Sequence, residues 1–93
     1  MALARVVTFE GVGRDRIEEM RNDMDGDPPE GLPAKEIIVL HDPDAEKSVV
    51  IVFFDNEEDY RQGDEVLSAM PAGDTPGRRS GVAKYDVAMR MAV

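Results

Sequence analysis

The chain has 93 residues, a length that suits one domain, and we expect residues 1–93 to form it. It contains no cysteine, which excludes disulfides, thiolate nucleophiles and thiolate metal sites. No run approaches the ~18 apolar residues of a membrane span, and the first residues lack the layout of a signal peptide. We therefore expect a cytoplasmic protein that does not enter a membrane.

The net charge of −9 is distributed unevenly along the chain. Residues 1–77 carry 7 basic and 19 acidic side chains, whereas residues 78–93 carry 4 basic side chains and 1 acidic side chain. Phosphate backbones are repelled by an acidic surface, so a nucleic acid is not expected as a partner.

The first third of the chain predicts a strand and then a helix. Residues 4–10 are rich in β-branched and aromatic side chains, which favour a strand. Asp15 and Glu18 have the spacing of a capping box, and apolar side chains then recur at helical spacing, so a helix is predicted over residues 15–24. These apolar side chains are Ile17, Met20 and Met24. Residues 25–33 contain three prolines and two glycines and form a predicted loop.

Two further strands are predicted in the middle of the chain. Residues 35–41 and 48–54 are both strongly apolar and rich in β-branched side chains. A turn at Asp42, Pro43 and Asp44 separates them. The connection is short, so the two strands are predicted to form an antiparallel hairpin.

A second helix follows directly. Asp55 and Glu58 repeat the spacing of a capping box, and the helix is predicted to end near Ala69, before Pro71. Gly63 lies on its apolar stripe although glycine costs roughly 1 kcal/mol of helix propensity relative to alanine. Its presence there predicts a close approach between this helix and the sheet.

Residues 82–92 form the last predicted strand. The resulting order βαββαβ is the split βαβ pattern, which predicts a ferredoxin-like α+β fold. Its sheet would have four antiparallel strands, with two helices on one face.

The hairpin strands are apolar on both faces, which has a consequence for assembly. The third strand places Val49, Ile51 and Phe53 on one side and Val50, Val52 and Phe54 on the other. Two helices cover one face of such a sheet, so the other would expose a broad apolar surface. We expect a second copy of the chain to cover it. The charged side of the last strand, with Lys84, Asp86 and Arg90, is expected to border this uncovered face.

Three segments carry a resemblance to a known superfamily. IIVLHDP stands at the second strand, VVIVFFDNEEDY runs from the third strand into the second helix, and GVAKYDVAMRM closes the chain. With the order of elements, they resemble the dimeric α/β-barrel superfamily, whose nearest relatives are antibiotic-biosynthesis-monooxygenase-like (ABM-like) proteins and small uncharacterised bacterial relatives. The resemblance implies that two sheets pack face to face in a homodimer, with the helices outside.

The resemblance to this superfamily also implies possible enzymatic activities. Some relatives oxidise polyketide-type substrates without a cofactor, using polar and aromatic residues inside the barrel. Haem-degrading relatives use an asparagine, a tryptophan and a histidine. This chain has no tryptophan, and its first strand offers Arg5, Thr8 and Phe9 where that asparagine is expected, so haem degradation is not favoured.

Few side chains qualify as catalytic candidates. His41, the only histidine, lies at the end of the second strand, where a general base or a turn-capping residue is typical. Tyr60 and Tyr85 are the tyrosines that a barrel cavity would include, and Phe9 and Phe53 are candidate ligand-binding residues beside them. None of these aligns with a catalytic motif.

Two charged groups complete the candidates. Arg78 and Arg79 follow a glycine-containing loop and would either bind an anionic ligand or pair with acidic loops, and we favour the pairing. Asp23, Asp25 and Asp27 resemble the start of a calcium loop, but Pro28 and Ala34 occupy the positions that need glycine and glutamate. No metal site and no cofactor are expected.

Three functions remain open from the sequence. The preferred one is a homodimer, pairing through the helix-free sheet face, that binds a small apolar or aromatic molecule between sheet and helices. The second is a cofactor-independent monooxygenase that acts on an aromatic or polyketide-like substrate. The third is a structural or interaction module with no ligand. An open pocket would favour the first two, and a filled sheet–helix space would favour the third.

Overall fold

The computed structural model describes residues 2–23, 31–69 and 77–92. It confirms the α+β class, with a four-stranded antiparallel sheet and two helices. In chain order the elements are β1 (Leu3–Glu10), α1 (Arg14–Asp23), β2 (Glu36–Asp42), β3 (Lys47–Phe54), α2 (Glu57–Ser68) and β4 (Arg78–Asp86). No helix of these residues is long and apolar enough to cross a membrane.

The strands lie in the order β2-β3-β1-β4, and all three neighbouring pairs are antiparallel. The two central strands, β1 and β3, are accordingly the most buried. The hairpin of β2 and β3 forms as predicted, with Val39 opposite Val50. This arrangement is compatible with a ferredoxin-like fold.

Both helices pack on the same face of the sheet, which we call the helix side. Leu3, Val7 and Phe9 alternate toward it along β1. Leu3 belongs to a cluster with Tyr60 of α2, and Val7 and Phe9 belong to a second cluster, against which Ile17 of α1 packs. The opposite face, which we call the helix-free face, has no described helix on it.

The two clusters fill most of the space between the described helices and the sheet. The first contains Leu3, Val52, Phe54 and Tyr60, and the second contains Val7, Phe9 and Val12. Arg5 lies between them on β1 and is also buried. A cation in the middle of an apolar strand needs a partner, because burying an unpaired charge is costly.

Gly63 allows α2 to lie directly on the sheet, as predicted. A Cβ atom built at this position would collide with the ring of Phe54 and contact Leu32. The helix ends at Ser68, with Ala69 as its C-cap, again as predicted. Its N-cap is Asn56, whose Oδ1 accepts from the Asp59 N–H at 2.8 Å. The predicted cap at Asp55 was wrong by one residue, because Asn56 offers an equally good acceptor.

The start of α1 also differs from its prediction. The helix begins at Arg14, and the Ile17 N–H donates to the Gly13 carbonyl at 3.3 Å. Asp15 therefore lies in the first turn rather than at the cap. A negative charge in the first turn stabilises the helix by interacting with its dipole. Asp23, the first of the three aspartates compared with a calcium loop, is the last residue of α1, whereas residues 24–30, with Asp25 and Asp27, lie outside the described residues.

The last strand occupies Arg78–Asp86 rather than 82–92. Its pairing with β1 starts at Arg78 opposite Glu10, and an irregularity between Thr8 and Phe9 accommodates the extra residue. After Asp86 the chain leaves the strand. The register places Arg5 opposite Lys84, so the charged side of β4 faces the helix side. The expectation that Lys84 and Asp86 border the helix-free face was wrong, because the true register sets their orientation.

Candidate functional site

An open groove of about 680 Å³ lies between α2 and β4. It is lined by Glu57, Glu58, Tyr60, Arg61, Asp64 and Lys84. We call it the α2–β4 groove. Glu57, Tyr60 and Asp64 recur at i, i+3 and i+7, so they share one face of α2, and this face is turned toward the edge of the sheet.

Arg5 anchors the sheet side of the groove. It is 3% exposed, and its Nε donates to Asp64 Oδ1 at 2.9 Å. Its Nη2 also donates to the Ser68 hydroxyl at 3.4 Å. Arg5 lies between Leu3 and Val7 on the helix side of β1. Its guanidinium extends toward α2, where both acceptors lie. The ion pair thus joins the sheet to the groove.

Lys84 supplies a second cation on the neighbouring strand. Its Nζ lies 2.8 Å from Glu57 Oε1 and 2.6 Å from Glu57 Oε2. It also lies 5.0 Å from the centre of the Tyr60 ring, within the range of a cation–π contact. The hydrogen bond to Glu57 raises the pKa of Lys84 above its ordinary value. The groove therefore keeps a protonated amine at neutral pH.

Tyr60 separates the two ion pairs. Its ring packs edge-on against Phe54 at 5.4 Å and is 9% exposed. Burial, followed by the negative charge of Asp64, raises the pKa of Tyr60 above 10.0. Its phenol therefore stays protonated at neutral pH and is able to donate a hydrogen bond. Lys84 and Tyr60 line the groove, whereas Arg5 lies behind Asp64 and is not among the lining residues.

The predicted catalytic and ligand-binding residues do not share one pocket. Tyr60 lines the α2–β4 groove. His41 lies on the helix side of β2, and its Nε2 is 2.9 Å from the Val12 carbonyl, so as a donor it joins β2 to the loop before α1. Phe9 is buried in the cluster with Val12. His41 therefore has a structural contact, and its catalytic role stays a prediction.

Phe53 and Tyr85 lie on the other face of the sheet. Both are opposite Ala4, which places them on the helix-free face. Tyr85 is 58% exposed. The Phe53 ring is covered in part by the guanidinium of Arg90, whose Cζ is 4.6 Å from the ring centre. These two aromatic residues belong to a surface rather than to the groove.

The adjacent arginines have different kinds of partner within the chain: Arg78 pairs with an acidic side chain, as we favoured, whereas Arg79 donates to a backbone carbonyl. Arg78 Nη2 lies 3.6 Å from Glu10 Oε2 across the β1–β4 ladder. Arg79 Nη2 donates to the carbonyl of Leu67 at 3.4 Å. Both contacts are exposed and contribute little to stability. Binding of a ligand by Arg78 or Arg79 stays a prediction.

Sequence reasoning did not single out the charged pairs of the groove. The sequence held one indication of these pairs. Arg5 is the one charged residue among the inward-facing positions of β1, and the others are apolar. Its partner Asp64 is 59 residues away, and only the fold brings them together. Across residues 2–23, 31–69 and 77–92, no group of three or more metal-ligating side chains could hold a metal ion.

Comparison with known proteins gives no relative for this chain. No family model matches it, and neither a curated protein nor a solved structure matches it.

Proposed function

We propose that the chain is a homodimeric binding domain of the dimeric α/β-barrel type, and that its α2–β4 groove holds a small molecule bearing a carboxylate or similar acidic group. The observation that carries the binding function is the pairing of Arg5 with Lys84 on neighbouring strands. Two like charges directly opposite each other destabilise a sheet. Asp64 pairs with Arg5 and Glu57 pairs with Lys84, so carboxylates of α2 hold the two neighbouring cations at the groove.

The donors are arranged for an anionic group. A guanidinium has five N–H donors, and within the described residues Asp64 and Ser68 engage two of those of Arg5. Lys84 and the protonated Tyr60 add further donors along the same side of α2. Asp64 and Glu57 hold the cations in place when the groove is empty. An acidic ligand would share these donors with them, as bidentate carboxylate recognition requires.

The groove changes the class of ligand that we propose. The sequence favoured a small apolar or aromatic molecule, but the lining is charged, and the apolar side chains pack into the two clusters. An aromatic acid would satisfy both the donors and the edge of the Tyr60 ring. The proposed ligand is therefore polar at one end and small enough for an open groove.

The homodimer is supported by the helix-free face. Its central positions are apolar and partly exposed, and Leu40 is 51% exposed. They are Val6, Ile38, Leu40, Val49 and Ile51. Contiguous apolar surface of this kind marks an interaction site in soluble proteins. Pairing of two such faces would give the barrel that the resemblance implies, with each groove on the outside.

The binding proposal is tested by titrating the protein with benzoate, succinate and inorganic phosphate and following backbone amide shifts by NMR. We expect at least one of the two carboxylates to shift the amides of Arg5, Tyr60 and Lys84. Lys84→Gln should weaken that binding about tenfold or more, since it removes a charged hydrogen-bond donor from the groove.

Lys35→Gln is the matched control. Lys35 forms an exposed pair with Asp55 at 3.3 Å, away from the groove, so its loss should leave the binding unchanged. Equal weakening by the two substitutions would mean that only general charge is sensed. No shift of groove amides with either carboxylate would overturn the proposal.

A second candidate is an interaction module with no ligand, which the packed sheet–helix space favours. The two clusters leave the described helices in contact with the sheet, and Gly63 brings α2 against Phe54. In that case the ion pairs of Arg5 and Lys84 would be structural. The same titration decides between the two functions, because a module of this kind would show no carboxylate-dependent shifts.

The monooxygenase function that the resemblance implies has one residue in the groove. Tyr60 is the member of the predicted catalytic set that lines it, and its phenol would act as a proton donor there. Oxygen uptake with a quinol substrate, lost in Tyr60→Phe, would support this activity. Unchanged uptake in that variant would exclude Tyr60 from it.

A further inference from the structure

The α2–β4 groove has charges of both signs in nearly equal number. Its acidic lining residues are Glu57, Glu58 and Asp64, and its basic lining residues are Arg61 and Lys84. Three negative charges against two positive charges leave the lining with a net charge of −1. An acidic ligand that carries no positive group would therefore meet repulsion as well as attraction in this groove.

Lys84 already has a carboxylate partner within the chain. Its Nζ lies 2.8 Å and 2.6 Å from the two carboxylate oxygens of Glu57. The Glu57 side chain is 73% exposed, so a small ligand reaches this pair directly from solvent. A ligand carboxylate that binds to Lys84 either displaces Glu57 or lies beside it, and in both cases two carboxylates compete for one ammonium. A positive group on the ligand would relieve this competition by pairing with Glu57.

Two other charged residues of the lining are not engaged in ion pairs. Within residues 2–23, 31–69 and 77–92, neither Glu58 nor Arg61 forms an ion pair. Asp64 differs, because its Oδ1 accepts from the buried Arg5 at 2.9 Å. In addition to its ion pairs, the groove therefore presents one unpaired carboxylate and one unpaired guanidinium. A ligand that carries both signs of charge complements such a lining.

We propose that the ligand of the α2–β4 groove is a zwitterion, a small molecule with an ammonium group beside its carboxylate, as in an amino acid. This inference rests on the binding function proposed above and narrows its ligand. The ligand carboxylate pairs with Lys84, and the ligand ammonium pairs with Glu57 and Glu58. The exchange leaves no groove carboxylate without a positive partner. It also adds no net charge to a chain that already has a net charge of −9.

Three probes that differ by one group test the proposal. Phenylalanine carries both charged groups, 3-phenylpropionate carries the carboxylate alone, and phenethylamine carries the ammonium alone. Their dissociation constants are measured at pH 7 from the NMR shifts of the Tyr60 and Lys84 amides. We expect phenylalanine to bind at least about threefold more tightly than either of the other two, as an additional ion pair at an exposed position allows. Alanine and propionate form a second matched pair, so that the comparison does not depend on the ring.

Substitutions in α2 test where the ammonium binds. Glu57→Gln combined with Glu58→Gln should remove the advantage of phenylalanine over 3-phenylpropionate. The same variant should strengthen the binding of 3-phenylpropionate, because Lys84 no longer has a competing carboxylate within the chain. A general loss of structure would weaken both ligands instead, and circular dichroism checks the fold. Glu65→Gln is the control, since Glu65 is exposed on the same helix but does not line the groove, and it should retain the advantage.

The outcomes separate this inference from the proposed function. Equal binding of phenylalanine and 3-phenylpropionate, and of alanine and propionate, would overturn the zwitterion and leave carboxylate binding intact. Phenethylamine that binds as tightly as phenylalanine would also contradict the inference, because the carboxylate would then contribute nothing. An advantage that persists in the double variant would contradict the assignment of the ammonium to Glu57 and Glu58. The absence of groove shifts with all of these probes, and with benzoate and succinate, would overturn the binding function itself.

Discussion

Arg5 of β1 and Asp64 of α2 form an ion pair in which the arginine is buried and the aspartate is partly exposed to solvent. The Arg5 side chain is 3% exposed and that of Asp64 is 44% exposed, with Nε and Oδ1 2.9 Å apart. The pair lies where the buried clusters meet the groove. The strength of this ion pair therefore affects both the stability of the sheet and the chemistry proposed for the groove.

The first prediction concerns the cost of removing the carboxylate. Asp64→Asn leaves the buried guanidinium without its charged partner, and we expect the free energy of unfolding to fall by about 1–3 kcal/mol, the range for a charged hydrogen bond. The loss of stability is limited because the Asp64 side chain is partly exposed and solvent screens its charge. Urea denaturation measures it. Asp55→Asn, which breaks the exposed pair with Lys35, should cost about 0–1 kcal/mol. Equal losses in the two variants would contradict the buried role of Arg5.

The second prediction concerns the close contact at Gly63. Alanine there gains helix propensity of roughly 1 kcal/mol, but its Cβ collides with the ring of Phe54. We expect the collision to prevail and Gly63→Ala to destabilise the protein by about 1–3 kcal/mol, as overpacking does. Thermal and urea unfolding report the change. Glu65→Ala, at an exposed position of the same helix, should lie within about 0.5 kcal/mol of the wild type. A stabilised Gly63→Ala would contradict the packing described here.

The third prediction concerns alkaline pH. Because the pKa of Tyr60 is raised above 10.0 by burial, the folded state keeps the phenol protonated after the unfolded chain has begun to lose that proton. The stability due to Tyr60 is complete below pH 10.0 and is lost as pH rises through the higher pKa of the folded state. We expect urea unfolding to show this decline. Tyr60→Phe should remove that part of it, whereas Tyr85→Phe should leave the decline unchanged. A decline that Tyr60→Phe does not alter would contradict the burial of the phenol.

The class, the elements and the close approach at Gly63 could be predicted because each depends on local signals. Apolar runs marked β1, β2 and β3, and the spacing of apolar residues marked both helices. The bounds of β4 could not be predicted from such signals. Residues 87–92 continue an alternating pattern in the sequence, but β1 begins at Leu3 and so has no further strand residue for β4 to pair with beyond Asp86. The length of the partner strand, which lies far away in the sequence, therefore set the end of β4.

The groove was harder to predict because it depends on register. Two-residue alternation assigns Lys84 to a side of β4, but only the pairing with β1 decides which face of the sheet that side joins. The sequence favoured aromatic side chains as a cavity, yet Phe9 and Phe53 lie on opposite faces. Arg5 was visible as an unusual residue in an apolar strand, and the sequence held no signal for its partner.

The state of association tests the central claim most directly, since the proposed homodimer pairs through the helix-free face. Sedimentation equilibrium of the wild-type chain at micromolar concentration should give twice the 10.3 kDa of a single chain. Ile51→Glu places a charge in the middle of the helix-free face and should shift the protein to a single chain with its fold retained. A wild-type chain that sediments at 10.3 kDa throughout the micromolar range would contradict the homodimer and the barrel built on it.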